Sequence, residues 1–403
     1  MAVCGYGASG RNGGWASSLF PLDDESFAQR HGRDALLQLR STLRRSVADL
    51  GETMRDDNID GDFVQGGWLS FARNLAQEQR LVKRIERARL LGESEDDLRW
   101  LDESELRHVG YVVGARGATY SPHCARLHPA KLVRGLSDVV ERLGASIYED
   151  TQVTKIVPGS ATRRPRLLSV GGTVRADYVI RATEGFTPSL PGERRSVAPI
   201  YSMMIATEPQ SERFWSEAGF SRYETFGDAR HNIIYGQRTA DDRIAFGGRG
   251  APYHFGSSIE PRFDEHHPTF RALETTLREL FPTLEGAITH RWGGPMAMPR
   301  DHEPSVVIDH RGGLVKVGGY TGDGVVLSRV CARAIADALA APSDDSEFTS
   351  LAFVHHESPK WEYEPLRWLG AKSAQSLANR IDRADARNAS TPRAEKWLGR
   401  LLS

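Results

Sequence analysis

Five of the eleven residues from Cys4 to Gly14 are glycine. Few folds use a ribbon this bare so early in the chain. Glycine accepts positive φ and lets the backbone approach a ligand that a Cβ would hold away. Ser9, Arg11 and Asn12 stand among the glycines and can donate hydrogen bonds to oxygen, so the ribbon suits a phosphate or a flat polar ring. Gly5-Tyr6-Gly7-Ala8-Ser9-Gly10 also spells the dinucleotide fingerprint, and Asp23, Asp24 and Glu25 lie near the offset of a ribose acid. That fingerprint has meaning only between a strand and a helix. Here only Met1 to Cys4 precede it, and Gly13-Gly14 and Pro21 follow, so no long helix is expected from Gly10.

At 403 residues the chain has room for two or three domains. Charged residues make up 26% and the net charge is −1, without long runs of either sign, which argues against nucleic acid as a partner. Cys4, Cys124 and Cys331 are far apart and odd in number, so a disulfide framework is not expected and a reducing compartment is. No apolar run reaches the ~18 residues of a membrane span, and the start is not basic-then-apolar. A soluble, cytoplasmic protein is expected. The sequence does not name an oligomeric state.

Apolar spacing predicts a helix over 24–54 capped by Asp24, a strand with a glycine break over 62–72, and a helix over 74–91. A β excursion over 110–129 leads to a helix from His128-Pro129 to Arg142. Strands follow at 145–149 and 152–156, then a hairpin around Gly171-Gly172 and a strand over 176–182. This succession fits half of a doubly wound sheet. From 197 to 295 the pattern changes to strands at 200–207, 223–226, 232–237, 243–249 and 287–292, with one helix over 269–281. That meander predicts a mostly antiparallel sheet. Strands at 305–309 and 314–317, a second glycine-rich turn over 318–324 and a helix over 325–341 ended by Pro342 return to the first unit. A basic helical tail closes the chain, with Trp361, Leu366, Trp368 and Leu369 read as a docking cluster. The fold class is α/β (α+β): a cofactor unit (1–72, 120–196, 296–345), a substrate unit (73–119, 197–295) and a tail (346–403).

The two glycine turns and the unit between them resemble the FAD-dependent amine and amino-acid oxidoreductases of the D-amino-acid oxidase superfamily, the group of glycine oxidase, sarcosine oxidase and γ-glutamylputrescine oxidase. Gly7-Ala8-Ser9-Gly10-Arg11-Asn12-Gly13-Gly14 is similar to the family's loop under the flavin and pyrophosphate. Val153 lies in a stretch similar to the strand that meets adenine, and Ala182-Thr183 is similar to the turn beside the pyrophosphate. Arg291-Trp292-Gly293-Gly294-Pro295 and Gly318-Gly319-Tyr320-Thr321-Gly322-Asp323-Gly324 are similar to the stretches that close over the isoalloxazine ring, and Pro365 to Gly370 recurs in some members. In the family a βαβ unit of roughly 30 residues, carrying the true fingerprint, precedes the first loop. This chain lacks it ahead of Cys4, which implies either a start downstream of the real one or a shortened form with impaired flavin binding.

The resemblance implies FAD as cofactor and a small amine or amino acid as substrate. Its CH–NH group would be oxidised by hydride transfer to flavin N5, with oxygen or another acceptor reoxidising the flavin. The implied cofactor-binding residues are Ser9, Gly10, Arg11, Asn12, Gly13, Val153, Ala182, Thr183, Gly319, Tyr320, Thr321, Gly322 and Gly324. Arg249 and Tyr235 are the catalytic candidates. Arg249 could meet a substrate carboxylate or water, or form a structural ion pair. Tyr235, His231 and Tyr253 could line the pocket or belong to the core. No histidine or cysteine spacing completes a metal site, so no metal is expected. Two alternatives stay open: a non-catalytic homologue without FAD, and an NAD-linked dehydrogenase using residues 5–10.

Overall fold

The computed structural model describes residues 3–250, 252–341, 346–389 and 391–402. Pro342, read as the stop of a helix, lies outside them. The larger of the sheets has eight strands in the spatial order Ile288–Met298, Ala198–Thr207, Ile244–Gly248, Ile234–Arg238, Thr225–Asp228, Trp68–Ala72, Gly117–Ser121 and Arg99–Asp102. All neighbours are antiparallel except Thr225–Asp228 against Trp68–Ala72. The sequence reading groups residues 68–72 with the cofactor unit. In the structure they pair inside this sheet, and all five are buried.

One face of the sheet packs Leu69, Phe71, Met203, Ile205, Phe226 and Phe246 against Phe270, Leu273 and Leu277 of the helix His267–Leu280. Rings of Phe214, Trp215, Phe220, Phe226 and Phe281 meet there edge to face or tilted. The strand Ile288–Met298 runs through Gly293-Gly294-Pro295, six residues past the expected end at 292. It is the sheet's edge, where proline removes no ladder bond, and Pro295 pairs with Tyr201.

The doubly wound unit is present as a three-stranded sheet in the order Ser305–Asp309, Leu314–Gly318, Val179–Arg181, whose last pair is parallel. The helices Arg33–Asp56 and Gly324–Ala340 bury Leu36, Leu39, Leu43, Val326, Leu327 and Val330 in the core shared with Val306, Val315 and Val317. The expected single helix over 24–54 is two, Asp24–His31 and Arg33–Asp56, because Gly32 at φ 91 breaks it. Asp23, not Asp24, caps the first through Ser26 N. The helices expected over 74–91 and from His128-Pro129 to Arg142 form as Leu75–Leu90 and Pro129–Arg142, with Asn74 and His128 as their caps. No strand forms over 145–149, where the side chains are mostly exposed.

The strands Val153–Val157, Arg166–Ser169 and Gly172–Arg175 make a separate sheet whose residues are half-buried or exposed. In the tail, Asp382 of Leu366–Asp385 accepts the amides of His231 and Asn232 at 2.8 and 2.9 Å. Trp361 donates to Met298 O at 2.8 Å, whereas Leu366 stays exposed. The three cysteines are free. No helix among the described residues is long and apolar enough to cross a membrane.

Candidate active site

The first ribbon is held by its own asparagine. Residues Ala8–Arg11 make one helical turn with no long helix behind it. Asn12 Nδ2 donates to Ala8 O and Ser9 O at 3.0 Å each, and its Oδ1 accepts Gly14 N at 2.8 Å. Gly13 lies against the Tyr235 ring, where a Cβ would come within 2.5 Å of Cε2. Gly14 sits at φ 70, and a Cβ there would meet Leu127 O at 2.3 Å. Neither position admits a side chain. Arg11 Nη1 donates to Asp264 Oδ2 at 2.6 Å and to Gly293 O at 2.8 Å, and Trp292 Nε1 donates to Arg11 O at 2.9 Å. The amide of Asn12 and one end of Arg11 thus hold the ribbon to itself and to the edge strand. The Nε of Arg11 is buried without a partner.

The second ribbon, 318–323, leads into Gly324–Ala340, whose first turn has no side-chain cap. A helix start leaves amides without intrahelical acceptors and carries a partial positive charge. Thr321 N donates to Ala297 O at 3.1 Å, which ties the ribbon to the far end of the same edge strand.

Tyr235 and Arg249 span the gap between the ribbons. Tyr235 and Gly247 are direct partners on adjacent strands. Arg249 follows Gly247 by two residues, hence on the same face. Arg249 Nη2 donates to Thr321 O of the second ribbon at 2.8 Å, while Tyr235 covers Gly13 of the first. Tyr235 Oη lies 2.7 Å from Ser202 Oγ, and its ring meets Trp15 edge-on at 6.3 Å. Burial pushes the Tyr235 hydroxyl up, opposed by the Ser202 bond and the Arg249 charge. Burial lowers the Arg249 pKa, opposed by Asp323. Asp323 is pushed up to about 6 by burial, with Arg249 pulling the other way. All three keep some accessible surface although desolvation governs each.

Other candidates fall elsewhere. Thr183 Oγ1 lies 2.8 Å from Thr187 Oγ1, Ala182 is exposed, and Val153 opens the separate small sheet. Among the described residues no hydrogen bond ties them to Tyr235 or Arg249. Tyr253 donates to Glu364 at 2.7 Å in the anchor of the tail, and His231 N is held by Asp382. His302 is depressed to about 4 by burial and by the Arg249 charge, so it is neutral at pH 7. Sequence reasoning missed Glu184, whose carboxylate accepts amides of the second ribbon. Its partners are more than a hundred residues away, so no local pattern marks it.

Asp301, Glu303 and His356 place ligand atoms within 4.8 Å of one another. The Asp301 and His356 atoms already have hydrogen-bond partners. Asp301 Oδ2 lies 2.7 Å from His356 Nε2, Ser358 donates to Asp301 Oδ1 at 2.6 Å, and His31 Nε2 lies 2.7 Å from Glu303 Oε1. The Asp301 bond raises the His356 pKa, and His356 and Ser358 help hold Asp301 down at about 2. A raised histidine stabilises the fold in full below its unfolded pKa of about 6.5 and loses that contribution as pH rises through its folded value. The depressed aspartate contributes above about pH 4 and loses it as pH falls toward 2. His356→Ala is therefore expected to cost about 1 kcal/mol near pH 5 and clearly less at pH 9 in urea melts. An equal cost at both would show that the pair is not charged.

Residues 1–338 match the family DAO, described as FAD dependent oxidoreductase. The chain is 29% identical over 348 residues to a probable oxidoreductase OrdL of Rhizobium meliloti, covering 83% of this chain and 74% of that protein. It is 28% identical over 359 residues to the γ-glutamylputrescine oxidoreductase of Escherichia coli, covering 87% and 79%. The fold is shared with glycine oxidase from Geobacillus kaustophilus at a TM-score of 0.71 and 20% identity, over 87% of this chain and 89% of that one. With the L-proline dehydrogenase of P. horikoshii the TM-score is 0.63 at 15% identity, over 82% and 84%. This chain belongs to the DAO family of FAD-dependent oxidoreductases.

Proposed function

We propose that this protein oxidises the CH–NH group of a small amine or amino acid in the cleft between the two glycine ribbons. The observation that carries this reading is the link from Gly13 through Tyr235 and Arg249 to Thr321. The residues fit the ring end of FAD. Arg11 Nε, Trp15 Nε1 and Gln237 Oε1 are buried without partners. All three belong to the first ribbon, its next strand or a side chain bonded to it, Gln237 donating to Gly13 O at 2.8 Å. Buried orphan donors and acceptors in a folded protein mark a missing polar partner. Gly10 to Gly13 would lie along one side of the ring, and Thr321 to Gly324 along the other.

When bound, FAD supplies the acceptor for the two electrons that leave the substrate carbon. The uncapped amides at Gly324 favour negative charge beside them. Arg249 offers guanidinium donors to a substrate carboxylate, a charge-assisted contact strengthened by desolvation. The Ser202 bond fixes the Tyr235 hydroxyl, so that the ring shapes one wall. The raised pKa of Tyr235 keeps it a neutral donor, not a base.

The test is purification followed by flavin absorbance near 450 nm and turnover of glycine, L-proline and γ-glutamylputrescine with oxygen or a dye as acceptor. Stoichiometric flavin, bleached by at least one carboxylate-bearing amine, is expected. The second reading is a homologue that holds no FAD. Colourless protein that does not take up added FAD would favour it. The NAD-linked alternative finds little support, since Gly5 to Gly10 leads into a helix of four residues only.

A further inference from the structure

Glu184 follows the strand Val179–Arg181 and begins the 3₁₀ turn Glu184–Ser189. Its backbone φ is 39, a region that side chains other than glycine, Asn and Asp seldom enter. Such a conformation persists where surrounding bonds impose it. The bonds here are three backbone amides. Glu184 Oε1 accepts Gly319 N and Tyr320 N, and Oε2 accepts Ala297 N, each at 2.9 Å. Burial raises the pKa of the carboxylate and the amides oppose the rise. The nearby Arg181 pairs with Glu193 at 2.6 Å instead. A desolvated carboxylate whose hydrogen bonds are all to amides, with the Arg181 charge near it, is costly unless those bonds are made, so this contact fixes the atoms it joins.

Those atoms lie on both sides of the proposed site. Ala297 is near the end of the edge strand whose middle holds Arg11, and Gly319 and Tyr320 begin the second ribbon. Gly318, Gly319 and Gly322 all have positive φ, so the ribbon has little stiffness of its own. Glu184 occupies the amides of Gly319 and Tyr320, and Thr321 N and Asp323 N donate to Ala297 O and Tyr320 O, so the Gly322 amide and those that open the helix are the ones left for a ligand.

We propose that Glu184 is a positioning residue, a carboxylate clamp that sets the direction of the uncapped amides of Gly324–Ala340. This rests on the reading of the cleft as a flavin site. The test compares Glu184→Ala and Glu184→Gln with Glu193→Gln in the full chain. Two quantities are measured: hydrogen exchange of the segment 318–324 without flavin, and the reduction potential of bound flavin. Glu184→Ala is expected to speed exchange of that segment at least tenfold. It should also change the ratio of reduced to oxidised flavin affinity about tenfold, close to 30 mV for two electrons. Glu184→Gln keeps an acceptor for two amides but turns a donor toward Ala297 N, so intermediate values are expected. It also serves if the alanine variant fails to fold. Glu193→Gln should move neither quantity. Unchanged exchange and potential in both Glu184 variants, with only a lower melting temperature, would overturn the proposal. A wild-type chain without flavin refutes the cleft reading instead, and exchange alone then decides whether the clamp exists.

Discussion

Arg249→Ala is expected to lower kcat/KM for an amino-acid substrate by about 100- to 1,000-fold, a loss of roughly 2.7–4 kcal/mol in transition-state stabilisation. The size follows from the environment. The guanidinium is desolvated, and among the described residues its one hydrogen bond is to the carbonyl of Thr321. Its remaining donors are free for a carboxylate, and losing one side of a desolvated charge pair typically costs several kcal/mol. Arg249→Lys keeps the charge but loses the fork, so an intermediate loss is expected. An amine without a carboxylate provides the discriminating measurement, because its kcat/KM should change less than tenfold. Equal losses for both substrate types would assign Arg249 to holding the second ribbon. Asp323 gives a second readout. Without the arginine its pKa should rise further above about 6, shifting any acidic limb of the pH–rate profile upward.

Much of the framework was legible because it is written locally. Asn74 and His128 announce helix starts within three residues of the amides they cap. The antiparallel meander follows from alternation and turn residues over short spans. Features that depend on distant neighbours were not legible. Gly32 reads as a tolerable glycine in one long helix, and only its φ of 91 shows the break. The strand expected over 287–292 continues through Gly293-Gly294-Pro295 to Met298, because it is the edge of its sheet, which the sequence does not reveal. The site divides the same way. The glycine ribbons are visible as composition, and Tyr235 and Arg249 as residues on strands. That Asn12 uses both of its side-chain polar atoms inside the chain, and Arg11 its Nη1, appears only in the fold. So does Glu184, which reaches amides 113 and 135 residues away.

Gly322→Val is expected to weaken FAD binding at least tenfold while moving the unfolding midpoint much less. Space is not the obstacle: a Cβ at Gly322 would meet Met296 Sδ at 3.4 Å and Arg249 Nη2 at 3.6 Å, ordinary contacts. The obstacle is conformation. Gly322 sits at φ 109, where a β-branched residue is severely strained, at a cost of about 1–3 kcal/mol if the backbone does not move. The ribbon is the softer partner, since the helix behind it is packed through Val326, Leu327 and Val330. The strain should therefore be relieved by rotating the turn, which redirects the amides at the helix start and shifts Thr321 O away from Arg249. Stability is retained because the rotation exposes little of the core. Gly13→Ala makes the opposite case, because its Cβ would come within 2.5 Å of Tyr235 Cε2 and must displace the ring. Measuring flavin content and urea midpoint for both variants separates conformation from space. If Gly322→Val loses stability in proportion to flavin, the ribbon is part of the core, and the cleft between the ribbons is not a cofactor site.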